Sequence, residues 1–209
     1  MKDPEVFRHI GADHLRKEDA RLLTGQGRFI DDIEVPHALH ACFVRSPHAH
    51  AKILSIDGQN ALALEGVVAV FTGQDLAQWT TRHRMAPDIA GLKPMEMDAL
   101  PIDKVRFQGD PVACVIAKNR YIAEDAAALV QVDYEELPAV THLEQALAAD
   151  APLVDPLVAG NLVSHQHASF GDLSGARQQA HRMIESTFSQ HRQTHLPIET
   201  RGCIALWDA

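Results

Sequence analysis

The feature that most constrains this chain is a strand-length apolar run, followed by a helical segment and a second strand-length run. The first run is PVACVIA, Pro111–Ala117, and the second covers residues 132–136. Three apolar residues recur at helical spacing in the helix predicted over residues 120–130: Ile122, Ala126 and Leu129. Such a β-α-β unit needs a packed layer beneath it, and a chain of 209 residues is long enough to bury one. We therefore predict a mixed α+β fold.

Other runs of strand or helix length surround this unit. Ahead of it, β-rich runs predict strands over residues 40–46, 51–56 and 67–72, with short helices over residues 59–64 and 74–79. The second of these helices is expected to begin near Asp75. Behind the unit, the pattern predicts a helix, a strand, a helix and two longer strands, in that order: residues 142–149, 163–170, 173–180, 183–190 and 203–207.

Residues 80–100 lack any hydrophobic periodicity. They contain prolines, a glycine and three methionines, and we predict a long irregular segment there. Because long ordered loops in compact domains are often functional, this segment is a candidate binding loop.

Residues 150–162 predict a domain boundary, since Pro152, Pro156 and Gly160 interrupt the pattern there. The expected organisation is an amino-terminal arm over residues 1–24, a domain over residues 25–150, and the beginning of a second domain over residues 160–209. The last apolar run, CIALW, is followed only by Asp208 and Ala209. We expect a strand interrupted just after it forms, by truncation or by a split gene.

Composition excludes several classes of protein. The formal net charge of -9 argues against a nucleic-acid partner, because such partners are bound by clustered Lys and Arg. No apolar stretch is long enough for a membrane span, and the acidic residues near the start argue against a signal peptide. A cytoplasmic location is expected.

The three cysteines are Cys42, Cys114 and Cys203. An odd number at wide spacing fits neither a disulfide framework nor a four-thiolate iron–sulfur or zinc site. We expect all three to be small buried apolar residues, and any iron–sulfur clusters to lie on another chain.

Thirteen histidines raise a metal hypothesis. His191, His195 and Glu199 have helical spacing, but Pro197 cannot continue a helix there. His48 with His50, and His165 with His167, would share a strand face, yet hydrogen bonding and packing by the imidazole rings is the favoured interpretation. No nucleophile elbow, H-E-x-x-H motif or glycine-rich phosphate loop is present. Residue chemistry alone therefore leaves the function open.

Six short motifs occur in order along the chain: RLLTG (21–25), VRSPHAHA (44–51), GVVAVFTG (66–73), VRFQGDPVA (105–113), VDYEELPAV (132–140) and HLPIETRG (195–202). Together they resemble the opening part of the molybdopterin-binding large subunit of molybdenum hydroxylases, the family of xanthine dehydrogenase, aldehyde oxidase and carbon monoxide dehydrogenase. The resemblance covers nearly the whole chain, from about Arg16 to Asp208.

This resemblance implies that residues 25–150 form the family's α/β hammerhead domain and that residues 160–209 begin its first molybdenum-cofactor-binding domain. It implies oxidative hydroxylation of an aldehyde, an N-heterocycle or a similar small substrate, with water as the oxygen source. The cofactor is a molybdenum-pterin, as molybdopterin or its cytosine dinucleotide, and it is bound by the complete subunit rather than by this chain alone. Iron–sulfur clusters and FAD are expected on partner subunits.

The resemblance also assigns candidate roles to four residues. Leu92, Met95 and Met97 are candidates to face the substrate funnel, with packing against the domain's own surface as the favoured alternative. Glu199 is a candidate for supporting the cofactor pocket, but a surface or inter-strand carboxylate is the favoured interpretation. No catalytic or metal-ligating residue is expected in this chain, which by itself would be inactive. Two competing hypotheses are a standalone, non-catalytic scaffold with a hammerhead fold and a histidine-rich metal-binding protein.

Overall fold

The computed structural model describes residues 13–85, 91–93, 95–191 and 193–208. It divides into two compact units, of which the smaller combines the described residues up to Pro36 with those from Ile184 onward. The larger unit is His37–Met183. It runs through residues 150–162, where the sequence predicts a boundary, and the predicted domain division stays a prediction. Residues 1–12 of the predicted arm lie outside the described residues.

Helices and strands follow in this order along the described chain: α1 (Asp19–Leu23), β1 (His40–Arg45), β2 (Ala51–Asp57), α2 (Gln59–Leu62), β3 (Val67–Thr72), α3 (Gly73–Leu76), β4 (His83–Met85), β5 (Met95–Met97), β6 (Lys104–Val105), β7 (Pro111–Ala117), α4 (Arg120–Ala127), β8 (Gln131–Glu136), α5 (Leu143–Ala146) and α6 (Leu173–Gln179). Single turns of 3-10 helix cover Ile30–Asp32 and Ala159–Asn161. Helices and strands are mixed throughout the larger unit, which confirms the predicted α+β fold.

Two three-stranded antiparallel sheets organise the larger unit. Their strand orders are β1-β7-β3 and β6-β2-β8, which we call the first and the second sheet. The core lies where α2 and α4 cover the first sheet, and Ala113 and Val115 of β7 are fully buried there beside Ala61 and Ala126 of the two helices. Burial of these apolar groups is the main stabilising contribution to the fold.

The predicted β-α-β unit is present in sequence order, but its two strands do not share a sheet. Strand β7 is flanked by β1 and β3, and β8 pairs with β2 in the second sheet. Because antiparallel partners occupy both edges of β7, no edge remains for β8. Helix α4 therefore connects two sheets rather than two neighbouring strands of one sheet.

The apolar face predicted for α4 is wrong in detail. The buried residues of the helix are Ala123 and Ala126, whereas Ile122 is half-buried and Leu129 is 41% exposed. The helix ends at Ala127, so the helical spacing that groups Leu129 with the others no longer holds at that position. Asn119 caps the helix, since its side-chain oxygen accepts a hydrogen bond of 2.9 Å from Ile122 N.

Helix α3 begins earlier than expected, because Thr72 is its cap residue and Asp75 is the third helical residue. The Asp75 carboxylate accepts hydrogen bonds from both the backbone N–H and the hydroxyl of Thr72, at 2.8 and 2.7 Å. These bonds lower the pKa of Asp75. The arrangement is a capping box, which fixes the direction in which the chain leaves β3.

The segment over residues 80–100 is not wholly irregular. Strands β4 and β5 form an antiparallel pair, with His83 opposite Met97 and Met85 opposite Met95. Strands of three residues are too short to show a recognisable alternation, which is why the sequence pattern misses them. Pro87 and Pro94 of this segment lie outside the described residues.

The three strands predicted beyond residue 160 are wrong for the described residues. Residues 163–170, 183–190 and 203–207 join no sheet there. A strand needs a neighbour to satisfy its backbone N–H and C=O groups, and apolar alternation alone does not supply one. The large apolar side chains of these stretches are mostly exposed, among them Phe170, Phe188 and Trp207. The predicted helix after Phe170 is confirmed as α6.

The cysteines are less buried than expected. Cys42 and Cys114 are half-buried, and Cys203 is exposed. Burial is the first cause that raises the pKa of the Cys42 and Cys114 thiols, so neither is activated as a nucleophile.

Among the helices of the described residues, none combines the length and the apolar character that a bilayer crossing requires.

Candidate functional site

Two of the three candidate funnel residues lie on strand β5. Met95 and Met97 are two residues apart, so their side chains share one face of the β4–β5 pair, and Glu96 takes the other. Met97 is 40% exposed, while Met95 and Leu92 are half-buried. This short hairpin thus carries a partly exposed thioether surface, which adapts readily to apolar ligands of different shape.

The hairpin is braced at both of its described ends. At its base, Arg82 Nε donates to Asp98 Oδ1 at 2.9 Å, and this hydrogen bond raises the pKa of the guanidinium. Next to Leu92, the backbone N–H of Lys93 donates to Val163 O and its Nζ donates to Ala159 O, at 2.9 and 3.0 Å. The strand that carries the methionines is therefore held in place on both sides.

A shallow depression of about 220 Å³ lies beside the hairpin base. Arg82 and Asp98 line it together with residues of α3 and with Leu100. A second depression of about 290 Å³ lies between residues 53–56 and residues 72–74. Leu92, Met95 and Met97 line neither of these two depressions.

Glu199 belongs to the smaller unit, where it joins the two ends of the chain. Its Oε1 accepts a hydrogen bond of 2.9 Å from Ile30 N, at the start of the 3-10 turn. Gly202 lies against the same residue, since a Cβ there would be 2.9 Å from Ile30 Cγ1. The observed contacts of Glu199 are structural, and its support of a cofactor pocket stays a prediction.

His48 and His50 form hydrogen-bonding contacts through their imidazole rings, as the sequence analysis predicts. His50 is buried, and its Nδ1 lies 2.8 Å from Pro138 O, which can only accept, so Nδ1 carries the proton. Its Nε2 then accepts from Lys104 Nζ at 3.2 Å. His48 lies 3.2 Å from Glu136 Oε1. These contacts hold the end of β8 to the turn before β2.

His165 and His167 are exposed and lie in no described helix or strand, and His191 and His195 lie on no described helix. Within the described ranges, no three residues among His, Cys, Asp and Glu are grouped closely enough to hold a metal ion. The described residues therefore do not form a zinc site of His, Cys, Asp and Glu ligands.

Asp110 is a buried carboxylate in the turn before β7. Gly109 has a φ of +92°, which only glycine adopts without strain, and its N–H donates to Ser46 O at 2.8 Å. Asp110 Oδ2 accepts from Arg106 N at 3.1 Å. Burial nevertheless outweighs this bond and the Arg106 charge, and raises the pKa of Asp110.

We expect Asp110→Asn to leave the chain at least as stable as the wild type at pH 7. A raised folded-state pKa means that ionised Asp110 opposes folding, and this cost appears as the pH rises from the unfolded-state pKa through the folded-state value. An asparagine oxygen can still accept from Arg106 N. Urea midpoints of the wild type and of Asp110→Asn, measured from pH 3 to pH 8, should differ less at acidic pH than at neutral pH. Asp110→Ala, which also removes the acceptor, should cost about 1–2 kcal/mol, and an Asn variant as unstable as the Ala variant would refute the explanation.

Comparison with known proteins now adds to this geometry. Residues 24–138 match the model of the a/b hammerhead domain of aldehyde oxidase and xanthine dehydrogenase. The chain belongs to this family. Residues 155–209 match the molybdopterin cofactor-binding domain, which is the order that the sequence motifs predict. The resemblance inferred from the six motifs is thus confirmed.

Two relatives illustrate the extent of the match. The chain is 38% identical over 203 residues to the nicotine 6-hydroxylase large subunit of Paenarthrobacter nicotinovorans, covering 97% of this chain and 25% of the relative. It is 37% identical over 218 residues to the carbon monoxide dehydrogenase large chain of Afipia carboxidovorans, covering 98% of this chain and 26% of the relative. The chain therefore spans about a quarter of the length of these two relatives.

A solved structure shows the same fold. The crystal structure of quinoline 2-oxidoreductase from Pseudomonas putida 86 superposes with a TM-score of 0.71 and 41% sequence identity. The match covers 82% of this hammerhead-family chain and 22% of the other. Relatives described as large subunits, large chains or parts of a complex show that this region of the family occurs in multi-subunit enzymes.

Proposed function

We propose that this chain is the amino-terminal portion of the large subunit of a molybdenum-dependent hydroxylase. The observation that carries the proposal is the order of the two family matches, a hammerhead domain followed by a cofactor-binding domain, in one chain. The complete enzyme would oxidise a small substrate such as an aldehyde or an N-heterocycle, taking oxygen from water. The relatives that support this class include a nicotine hydroxylase and a carbon monoxide dehydrogenase.

The catalytic centre in this proposal belongs to the complete subunit. When bound, a molybdenum-pterin group supplies the two-electron redox chemistry, and the protein supplies position and electrostatics. The protein contacts of the cofactor and the general base are assigned to polypeptide outside residues 1–209, because this chain spans only 25–26% of the relatives. Glu199 would support the cofactor-binding domain indirectly, because its hydrogen bond from Ile30 N stabilises the smaller unit.

Electron transfer is assigned to partner subunits that carry iron–sulfur clusters and FAD. This assignment is supported by the three widely spaced free cysteines, which cannot supply a four-thiolate cluster. Free thiols also fit a reducing compartment, and the proposal places the assembled enzyme in the cytoplasm.

The contribution of the described residues is shape at the substrate funnel. The β4–β5 hairpin presents Met95 and Met97 on one face, and the bonds of Arg82 and Lys93 hold that face in place. Leu92 adjoins Lys93, and we assign it to the same side of the substrate funnel as Met95 and Met97. Flexible thioethers would accept substrates of different size while the fixed backbone sets the width of the opening.

Replacing Met95 and Met97 by alanine in the complete enzyme should change KM by about tenfold for the substrates that fill the funnel, since one lost methylene contact is worth that much discrimination. Smaller substrates should change less. Steady-state kinetics across a size series checks this expectation. Glu96→Gln, on the opposite face of the same strand, is the matched control and should keep the wild-type profile. An unchanged KM profile in the double alanine variant would remove these residues from the funnel.

The proposed function is tested by isotope transfer. The complete large subunit, produced with its partner subunits, is incubated with candidate aldehydes and N-heterocycles, a dye as electron acceptor, and water labelled with heavy oxygen. We expect reduction of the dye and one labelled oxygen atom in the hydroxylated product. Absence of turnover with every class, in a complex that assembles, would favour the alternative of a non-catalytic hammerhead scaffold.

A further inference from the structure

The outer face of the first sheet is apolar, and it lies opposite the face that α2 and α4 cover. Register places Phe43 of β1, Cys114 of β7 and Phe71 of β3 in one row across the three strands. The next row on the same face is Ala41, Ile116 and Ala69. Helices α2 and α4 cover the opposite face, where Val115 is fully buried.

Aromatic side chains dominate this surface. Phe43 is 47% exposed, and Trp79 is 68% exposed while its ring meets that of Phe71 edge to face, with centroids 5.8 Å apart. Arg45 lies at the margin, its guanidinium carbon 5.9 Å from the centre of the Phe43 ring. We call this surface the aromatic sheet face, and it consists of Ala41, Phe43, Ala69, Phe71, Trp79, Cys114 and Ile116.

The outer face of the second sheet provides an internal comparison. There Lys52 and Glu135 form an ion pair at 2.8 Å, and Ser55 donates to Asp133 at 2.7 Å. Such charged cross-strand pairs are typical of a sheet face that meets water. The same chain thus solvates one outer face and leaves the other apolar, which indicates that the aromatic sheet face is covered in the assembled protein.

The character of the face points to a permanent polypeptide partner. Obligate interfaces are apolar and rich in aromatic residues, and the six residues of the two rows include no Lys or Arg, with Arg45 lying at their margin. That leaves too little positive charge for nucleic acid or for an anionic membrane surface. A second copy of the chain would bring its own formal charge of -9 to the contact, which disfavours self-association.

We propose that polypeptide of the same large subunit, outside residues 1–209, covers the aromatic sheet face. The proposal rests on the proposed function. It is supported by the length of the relatives, in which this region is only 25–26% of the subunit, so that most of the polypeptide remains to pack around it. Apolar surface of the same chain meets such a face without the entropy cost of bringing a separate molecule to it.

Site-specific photo-cross-linking in the complete complex tests the proposal. The photoreactive residue p-benzoylphenylalanine replaces Phe43, and in a matched control it replaces Lys52 on the polar outer face of the second sheet. After irradiation, we expect position 43 to cross-link to a peptide of the large subunit beyond residue 209, with at least tenfold higher yield than position 52. Cross-links to another subunit or to a second copy, or a yield no higher than that of the control, would overturn it.

The same preparation separates this inference from the proposed function. A complex that contains molybdenum but gives no cross-link within the large subunit overturns the inference alone, whereas a complex without molybdenum overturns the proposed function. A second pair of variants tests the proposal independently of the photochemical reaction at position 43. Phe43→Asp should lower the yield of assembled enzyme at least tenfold, and Leu54→Asp, at a position that is 61% exposed on the second sheet, should leave it unchanged. Equal yields for the two aspartate variants would also contradict a covered face.

Discussion

Replacing Gly73 by alanine is expected to lower the free energy of unfolding of the 209-residue chain by about 3 kcal/mol, the upper range for overpacking. Gly73 is buried at the start of α3, and a Cβ there would lie 2.5 Å from Leu100 O and 2.7 Å from Pro101 O. Backbone carbonyls cannot rotate away as a side chain can, so the backbone at Leu100 and Pro101 must shift. Urea denaturation followed by circular dichroism should show a lower midpoint with an unchanged slope.

Gly27→Ala is the control for this effect. The nearest atom to its added Cβ, at 2.8 Å, is Leu22 Cδ2, the far end of a flexible side chain that is 41% exposed. That side chain can move aside, so the change should stay within about 0.5 kcal/mol. If both alanine variants lose the same stability, the close backbone approach at Gly73 does not explain the result.

Replacing Ala126 by leucine is the second large effect, with an expected loss of about 2 kcal/mol from overpacking. Ala126 is fully buried between α4 and the first sheet, in the cluster that contains Ala113 and Val115. Three extra carbon atoms have no space there and must displace the helix. Thermal and urea unfolding measure the loss.

The control variant is Ala128→Leu, at the exposed C-cap residue that follows α4. It should change stability by less than about 0.5 kcal/mol. Should the two leucine variants lose the same stability, close packing at Ala126 would not explain the loss.

Individual strands were predictable from the sequence, and their pairing was not. β1, β3 and β7 lie within a residue of their predicted bounds, because runs of β-branched and apolar residues mark a strand locally. The separation of β7 and β8 into different sheets depends on which partners occupy each edge, and that information is spread over the whole chain. The run CIALW has the composition of a strand but no strand beside it among the described residues, and it forms no part of a sheet there. Composition alone therefore does not predict pairing.

The candidate site residues were proposed only through family resemblance, and their roles stay predictions. Met95 and Met97 carry no mark in the sequence of sharing a strand face, and the bonds of Lys93 go to backbone carbonyls, which any residue provides. The link between Glu199 and Ile30 joins residues 169 positions apart. Contacts of that range follow from the folded structure alone. The histidine pair at 48 and 50 was the exception, because imidazole rings beside a turn are usually hydrogen-bonded within it.

The central claim is that these 209 residues form a folded portion beside a molybdenum site whose ligands lie elsewhere in the subunit. Elemental analysis of the purified complete complex, beside the 209-residue chain purified alone without a histidine tag, tests it most directly. We expect about one molybdenum per large subunit together with iron in the complex, because the cofactors carry the redox chemistry, and neither metal in the chain alone. A complex free of molybdenum, or stoichiometric molybdenum bound by the isolated chain, would contradict the claim.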